Sequence, residues 1–190
     1  VLAPSSHNSQ PWHFVLQDDA VVVCADRTRA LPVVDPYDRE LVISCGAALF
    51  NLRVALSRFD CGCEILPFPY PADADVLAEV RLRPGGYRDP ALGELFPALL
   101  RRATNRSDYT ADNVPRDLQR TLREAAGAEG AALACIEEEQ ARERLAELIA
   151  EGDRIQFADP GFRRELAAWM HPAHHNDGMP VHSKGTSKIL

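Results

Sequence analysis

The sequence predicts an α+β fold with an antiparallel or mixed sheet and buried helices, and three observations carry that prediction. Two short runs, Trp12-His13-Phe14-Val15-Leu16 and Ala20-Val21-Val22-Val23-Cys24, are rich in β-branched and aromatic residues and flank Gln17-Asp18-Asp19; this is the pattern of a hairpin. Residues 39–59 carry apolar side chains on nearly every side, as a helix enclosed by protein does. Helix-like and strand-like segments alternate through the rest of the chain, which places helices on a sheet.

The remaining elements follow in order. Asp35-Pro36-Tyr37-Asp38 breaks the chain before the first helix. Cys63-Glu64-Ile65-Leu66 and Leu77-Ala78-Glu79-Val80-Arg81-Leu82 read as strands on either side of the proline-rich Pro67-Phe68-Pro69-Tyr70-Pro71. Pro84-Gly85-Gly86-Tyr87 marks a boundary. Residues 90–103 then predict a helix with Leu92, Leu95, Phe96, Leu99 and Leu100 on one stripe. Leu118, Leu122 and Ala126 at fourfold spacing predict a helix over 115–126, started by Asp112-Asn113 and stopped by Gly127. Residues 131–136 predict a buried strand and 139–151 a helix; Asp159-Pro160 begins another carrying Phe162, Leu166 and Trp169.

Composition narrows the function. With 190 residues and 46% hydrophobic content the chain can bury a core. Its 28 acidic and 21 basic residues give a net charge of −7, a poor match to nucleic acid or an anionic membrane surface. No apolar run reads as the roughly 20 residues that span a bilayer, and no leader is expected at the start. The five cysteines are odd in number and mostly within apolar stretches. They predict reduced core thiols and a cytoplasmic protein. Cys61-Gly62-Cys63 is too closely spaced for a zinc knuckle, and His171, His174, His175, Asp177 and His182 lack regular spacing, so no metal site is expected. No catalytic triad or carboxylate pair stands out.

Two stretches could hold a ligand. Pro4-Ser5-Ser6-His7-Asn8-Ser9-Gln10-Pro11 combines stiff backbone with five small polar side chains able to read the edge of a planar heterocycle, or simply to satisfy a turn. Arg101-Arg102-Ala103-Thr104-Asn105-Arg106 clusters three guanidinium groups with a hydroxyl, the donor set for a phosphate monoester, or a solvated basic helix end.

The run Pro4-Ser5-Ser6-His7-Asn8-Ser9-Gln10-Pro11-Trp12 resembles the flavin-contacting loop of the nitroreductase family, and Arg102, Thr104 and Arg106 resemble its phosphate-gripping signature. The resemblance implies a nitroreductase-like fold and an FMN cofactor. Pro4, Ser5, Ser6 and Asn8 would contact the isoalloxazine, while Arg102, Thr104 and Arg106 would hold the phosphate and ring edge. It also implies an oxidoreductase passing electrons from NAD(P)H to a nitroaromatic, quinone or similar small molecule. A flavin-sequestering protein with a closed pocket needs the same contacts, and a scaffold that has lost flavin is a third reading.

The two signatures occur in the reverse of the usual order, which resembles the tandem Acg-type branch. Two subunit-like halves are therefore expected in one chain, imitating a dimer: residues 1–86, truncated at the N-terminus, and 87–182, truncated at the C-terminus. Residues 183–190 hold both lysines of the sequence and are expected to be a flexible or non-native tail. Arg106 stands where a classical subunit has lysine, and the segment around His171 would fold over the flavin as a lid.

Overall fold

Both strands of the expected hairpin form in a computed structural model of the chain, as β1 (Trp12–Leu16) and β2 (Ala20–Ala25). The model describes residues 2–105, 107, 109, 110, 112–171 and 176–180. With β3 (Cys61–Pro67) and β4 (Val76–Pro84) they build a four-stranded sheet, ordered β1-β2-β4-β3, in which every neighbouring pair is antiparallel. The α+β class with an antiparallel sheet therefore stands. All six residues of β2 are buried, whereas β1 is an edge strand exposed along most of its length, the expected difference between central and outer strands. A short parallel pair, β5 (Met170–His171) and β6 (Met179–Pro180), lies apart from this sheet.

The helix α1 (Arg39–Arg58) covers one face of the sheet. Alternate residues of β2 and β4, Val21, Val23, Ala78 and Val80, pack there with Leu49, Leu52 and Leu56 of α1, as period-two strand geometry requires. A second cluster joins Ala25 and Leu77 to Leu41 and Cys45. On the other sheet face, Glu79 accepts a hydrogen bond from Tyr70 at 2.7 Å and pairs with Arg81 at 2.6 Å. These bonds hold the Glu79 carboxyl below its ordinary range and push the Tyr70 hydroxyl up.

Helix α1 corrects two expectations. It is not buried all round: Ile43 is 68% exposed, because protein meets α1 through Leu41, Cys45, Ala48 and Val54 and through Leu49, Leu52 and Leu56, and not on the side of Ile43. It is also long and apolar enough to cross a membrane by length and composition, although no such run was expected. The sheet contact accounts for that apolarity in this fold.

Asp35 caps α1 from outside it. Its carboxylate accepts from Arg39 N at 2.8 Å and Leu41 N at 2.9 Å, while Asp38, immediately before the helix, adopts a left-handed conformation and pairs with Arg27. Asp35→Ala leaves two first-turn amides without this acceptor. It is expected to cost about 1–2 kcal/mol in urea unfolding, whereas Asp38→Asn, losing an exposed pair, stays within about 0.5 kcal/mol.

Beyond β4 the expected helix over 90–103 is instead two, α2 (Pro90–Gly93) and α3 (Phe96–Arg101). Pro97 has no N–H to continue the ladder, and its ring excludes the carbonyl one turn back. Asp89 caps α2 through Ala91 N and Leu92 N.

Among the described residues, those up to 105 and from 164 onward form one compact unit and those between 107 and 163 a second. Within the second, α4 (Arg116–Ala128) begins after Pro115 without the expected Asp112-Asn113 cap and runs through Gly127. Helix α5 (Glu139–Ala158) continues seven residues past the expected end at Glu151, and the chain passes into α6 (Pro160–Ala168). The strand expected at 131–136 does not form: this segment has no ladder, and Leu133 and Ile136 are 40% and 44% exposed. An apolar run becomes a strand only where a partner edge accepts its hydrogen bonds.

Candidate functional site

The loop before β1 is held in an unusual backbone path. His7, Asn8 and Gln10 have φ of 50°, 53° and 53°, a region costing roughly 1–2 kcal/mol for each non-glycine residue. Local bonds offset the cost. Asn8 N donates to Ser5 O at 3.0 Å, Ser9 N to Ser6 O at 2.9 Å, and Gln10 N to Ser5 Oγ at 3.0 Å. Ser6 Oγ donates to the Glu40 carboxylate at the start of α1. Pro4 is exposed, Ser5, Ser6 and Asn8 are half-buried, and Ser9 is fully buried.

The far end of the chain completes the loop's surroundings. Asn8 Nδ2 donates to Gly178 O at 3.1 Å, and Gly178 N returns a bond to Asn8 O at 3.1 Å. Gln10 Nε2 donates to Asn176 O. Arg29 donates to Ser9 O at 2.7 Å and, through both Nη atoms, to Asp177 Oδ2 at 3.0 Å. Its guanidinium lies 5.9 Å from the Trp169 ring centre, within the range of a cation–π contact. His171 Nε2 is 3.9 Å from Asp177 Oδ1; His174, His175, His182 and residues 183–190 lie outside the described residues.

Arg102, just after α3, reaches the same neighbourhood. Its Nε donates to Leu2 O at 3.0 Å and its Nη1 to Thr104 Oγ1 at 3.4 Å. The arginine motif thus contacts the chain at Leu2, two positions before Pro4. Arg102 and Thr104 are both exposed. Arg106 lies outside the described residues. Leu2 also lines an apolar hollow of about 270 Å³ with Trp12, Phe14, Ala48, Leu52 and Phe96. A larger hollow, about 780 Å³, lies in the second unit between Asn113, Arg116, Leu122, Cys135 and Arg142, and none of the motif residues lines it.

Cys45 fastens α1 to the end of the loop by donating to Pro11 O at 3.2 Å. Burial pushes its thiol up to about 12. At pH 8 it is therefore protonated in the folded chain and should resist iodoacetamide. Mass spectrometry should find it alkylated only as the protein unfolds, and labelling at the rate of a free thiol under native conditions would contradict the burial.

Of the residues singled out from sequence, the structure joins Arg102 to Thr104 and packs Ser5, Ser6 and Asn8 into one loop. Gln10 shapes that loop through its bonds to Ser5 Oγ and Asn176 O. Arg29 went unnoticed because nothing in its local pattern marks it. Its partner Asp177 is 148 residues away and was considered only beside the histidines.

No protein-family profile matches the chain. It is 30% identical over 188 residues, 98% of its length, to "Putative NAD(P)H nitroreductase Rv3131" of Mycobacterium tuberculosis (strain ATCC 25618 / H37Rv), and covers 53% of that protein. It is 29% identical over 179 residues, 94% of its length, to "Putative NAD(P)H nitroreductase acg" of the same strain, covering 54% of that protein. A shorter match, 47% identity over 59 residues, links it to "Probable NAD(P)H nitroreductase PigM" of a Serratia strain, with 30% of this chain and 16% of that protein aligned. The chain spans about half the length of the two mycobacterial relatives.

Proposed function

We propose that this chain, similar along nearly its whole length to about half of two mycobacterial proteins named putative NAD(P)H nitroreductases, belongs to the nitroreductase family and forms part of an FMN-dependent oxidoreductase taking electrons from NAD(P)H. The observation that carries the reading is the bond from Arg102 Nε to Leu2 O. It sets a guanidinium and the Thr104 hydroxyl beside the start of the Pro4–Asn8 loop. A phosphate monoester at one end of a ligand and a polar-edged ring at the other ask for these two donor sets in proximity.

The residues present fit FMN in their chemistry. Arg102 and Thr104, with Arg106, would hold its phosphate and add positive charge near the ring edge; Pro4, Ser5, Ser6 and Asn8 would line the isoalloxazine. When bound, the flavin supplies the hydride and electron transfer, so the chain needs no nucleophile or general acid of its own. Its residues bind, orient and tune. The rigid loop presents fixed dipoles to the ring, and the hollow beside Leu2 supplies an apolar wall. The electron acceptor is a nitroaromatic, a quinone or a similar small molecule, and the location is the cytoplasm. Residues 1–86 and 87–182 would then correspond to two subunit-like halves, a pseudo-dimer within one polypeptide.

The test is anaerobic reduction. The protein in its full natural length is reconstituted with FMN, and NADPH or NADH is added while the visible flavin band is followed. Bleaching within seconds is the expected result. A bound flavin that bleaches with dithionite but with neither nicotinamide would replace the oxidoreductase by a flavin-sequestering role.

A further inference from the structure

The Arg29–Asp177 pair has no role in the reading above, yet it sits against the loop that reading depends on. Four features converge there. Asn8 and Gly178 exchange two bonds, Gln10 Nε2 reaches Asn176 O, Arg29 bridges Ser9 O and Asp177, and Trp169 lies beside the Arg29 guanidinium. Three consecutive residues of one segment, Asn176, Asp177 and Gly178, therefore each engage the loop or the arginine that supports it.

The loop needs such support. Three of its residues occupy left-handed backbone that none of them prefers, and such conformations persist only where surroundings over-determine them. Asn8 is held there by Gly178, which engages both its carbonyl and its side chain. Gly178 itself has φ of 71°, and a Cβ there would fall 2.3 Å from the His171 ring and 2.6 Å from Trp169 O. The segment is thus fixed on its far side as well. Met179 N adds a bond to Trp169 O at 2.8 Å.

We propose that Arg29 and Asp177 are positioning residues for the flavin loop: the Arg29–Asp177 ion pair clasps residues 176–178 onto residues 8–10 and so holds Ser5, Ser6 and Asn8 in the geometry that meets the ring. The inference rests on the FMN reading. Neither residue touches the ring. The pair is about one-third exposed on each side, so it acts as a latch of moderate strength rather than as a buried charge pair.

The experiment compares wild type, Arg29→Ala, Asp177→Ala and the conservative Arg29→Lys, all in the full-length protein. Hydrogen exchange at the Asn8, Ser9 and Gln10 amides is read without flavin, and FMN affinity by quenching of flavin fluorescence. Each alanine variant is expected to exchange these amides faster and to bind FMN about tenfold more weakly, the consequence of losing one charge-assisted contact. The melting temperature, followed in parallel, identifies general unfolding, and Arg29→Lys, which keeps the charge facing Asp177 and a donor for Ser9 O, should retain affinity that a lost fold would not. Wild type binding FMN while both alanine variants match it in affinity or in loop exchange would overturn the clasp and leave the flavin reading intact. Wild type that fails to bind FMN would remove the flavin reading and this inference with it.

Discussion

Arg102→Ala is expected to raise the dissociation constant for FMN roughly a hundredfold, because a guanidinium facing a phosphate contributes more than one charge-assisted bond. Arg102→Lys should lose about tenfold, since an ammonium keeps the charge but not the planar fork. Fluorescence titration of the full-length protein reads both. The order matters as much as the size: wild type tightest, lysine intermediate, alanine weakest. The alanine variant also loses the bond to Leu2 O, so Thr104→Val, which leaves that bond in place, serves as the companion. It should weaken FMN severalfold with no change in melting temperature. If Arg102→Ala held flavin as tightly as wild type, the cluster at 101–106 would revert to a solvated helix end and the chain to a scaffold that has lost its flavin.

Val80→Asp is expected to abolish the cooperative unfolding of the sheet unit. Val80 is completely buried, pairs with Val21 on one side and Ile65 on the other, and packs beneath α1. A carboxylate there would face Val21, Val23 and the leucines of α1 with no cation in the cluster. The cost of such a placement, about 4–5 kcal/mol, is comparable to the whole stability of many domains. Val80→Ala should cost about 2 kcal/mol and remain two-state. Urea titration followed by circular dichroism separates them: a shifted midpoint for alanine, no midpoint for aspartate.

What the sequence disclosed follows the range of the interactions involved. The hairpin and α1 were readable because their signals, β-branched runs and a break at Asp35-Pro36, act over a few residues. The split at Pro97 was readable in principle, since proline so near a helix centre forbids continuity. The strand expected at 131–136 failed for the opposite reason: Ala131-Ala132-Leu133-Ala134-Cys135-Ile136 has the right composition, but strand formation depends on an edge elsewhere. Gly127 is the expected stop of one helix and Glu151 the expected end of the next, yet a glycine disfavours a helix by only about 1 kcal/mol, and α4 and α5 run through Gly127 and Gly152. For the candidate site, the side chains proposed to meet the ring and phosphate are legible as motifs. Their supports are not. Asp35 reaches across four to six residues and Arg29 across 148, and no local window shows either.

The left-handed residues of the loop carry a consequence for mutational tolerance. Positions 7, 8 and 10 are polar and half-buried, outside the apolar core. By backbone, they admit asparagine, aspartate, histidine or glycine far more readily than valine, isoleucine or threonine, whose branched Cβ collides with the main chain there. A saturation library selected only for folding should therefore discard branched residues at these three sites as sternly as it discards charge at Val80, making a polar loop behave, under selection, like interior.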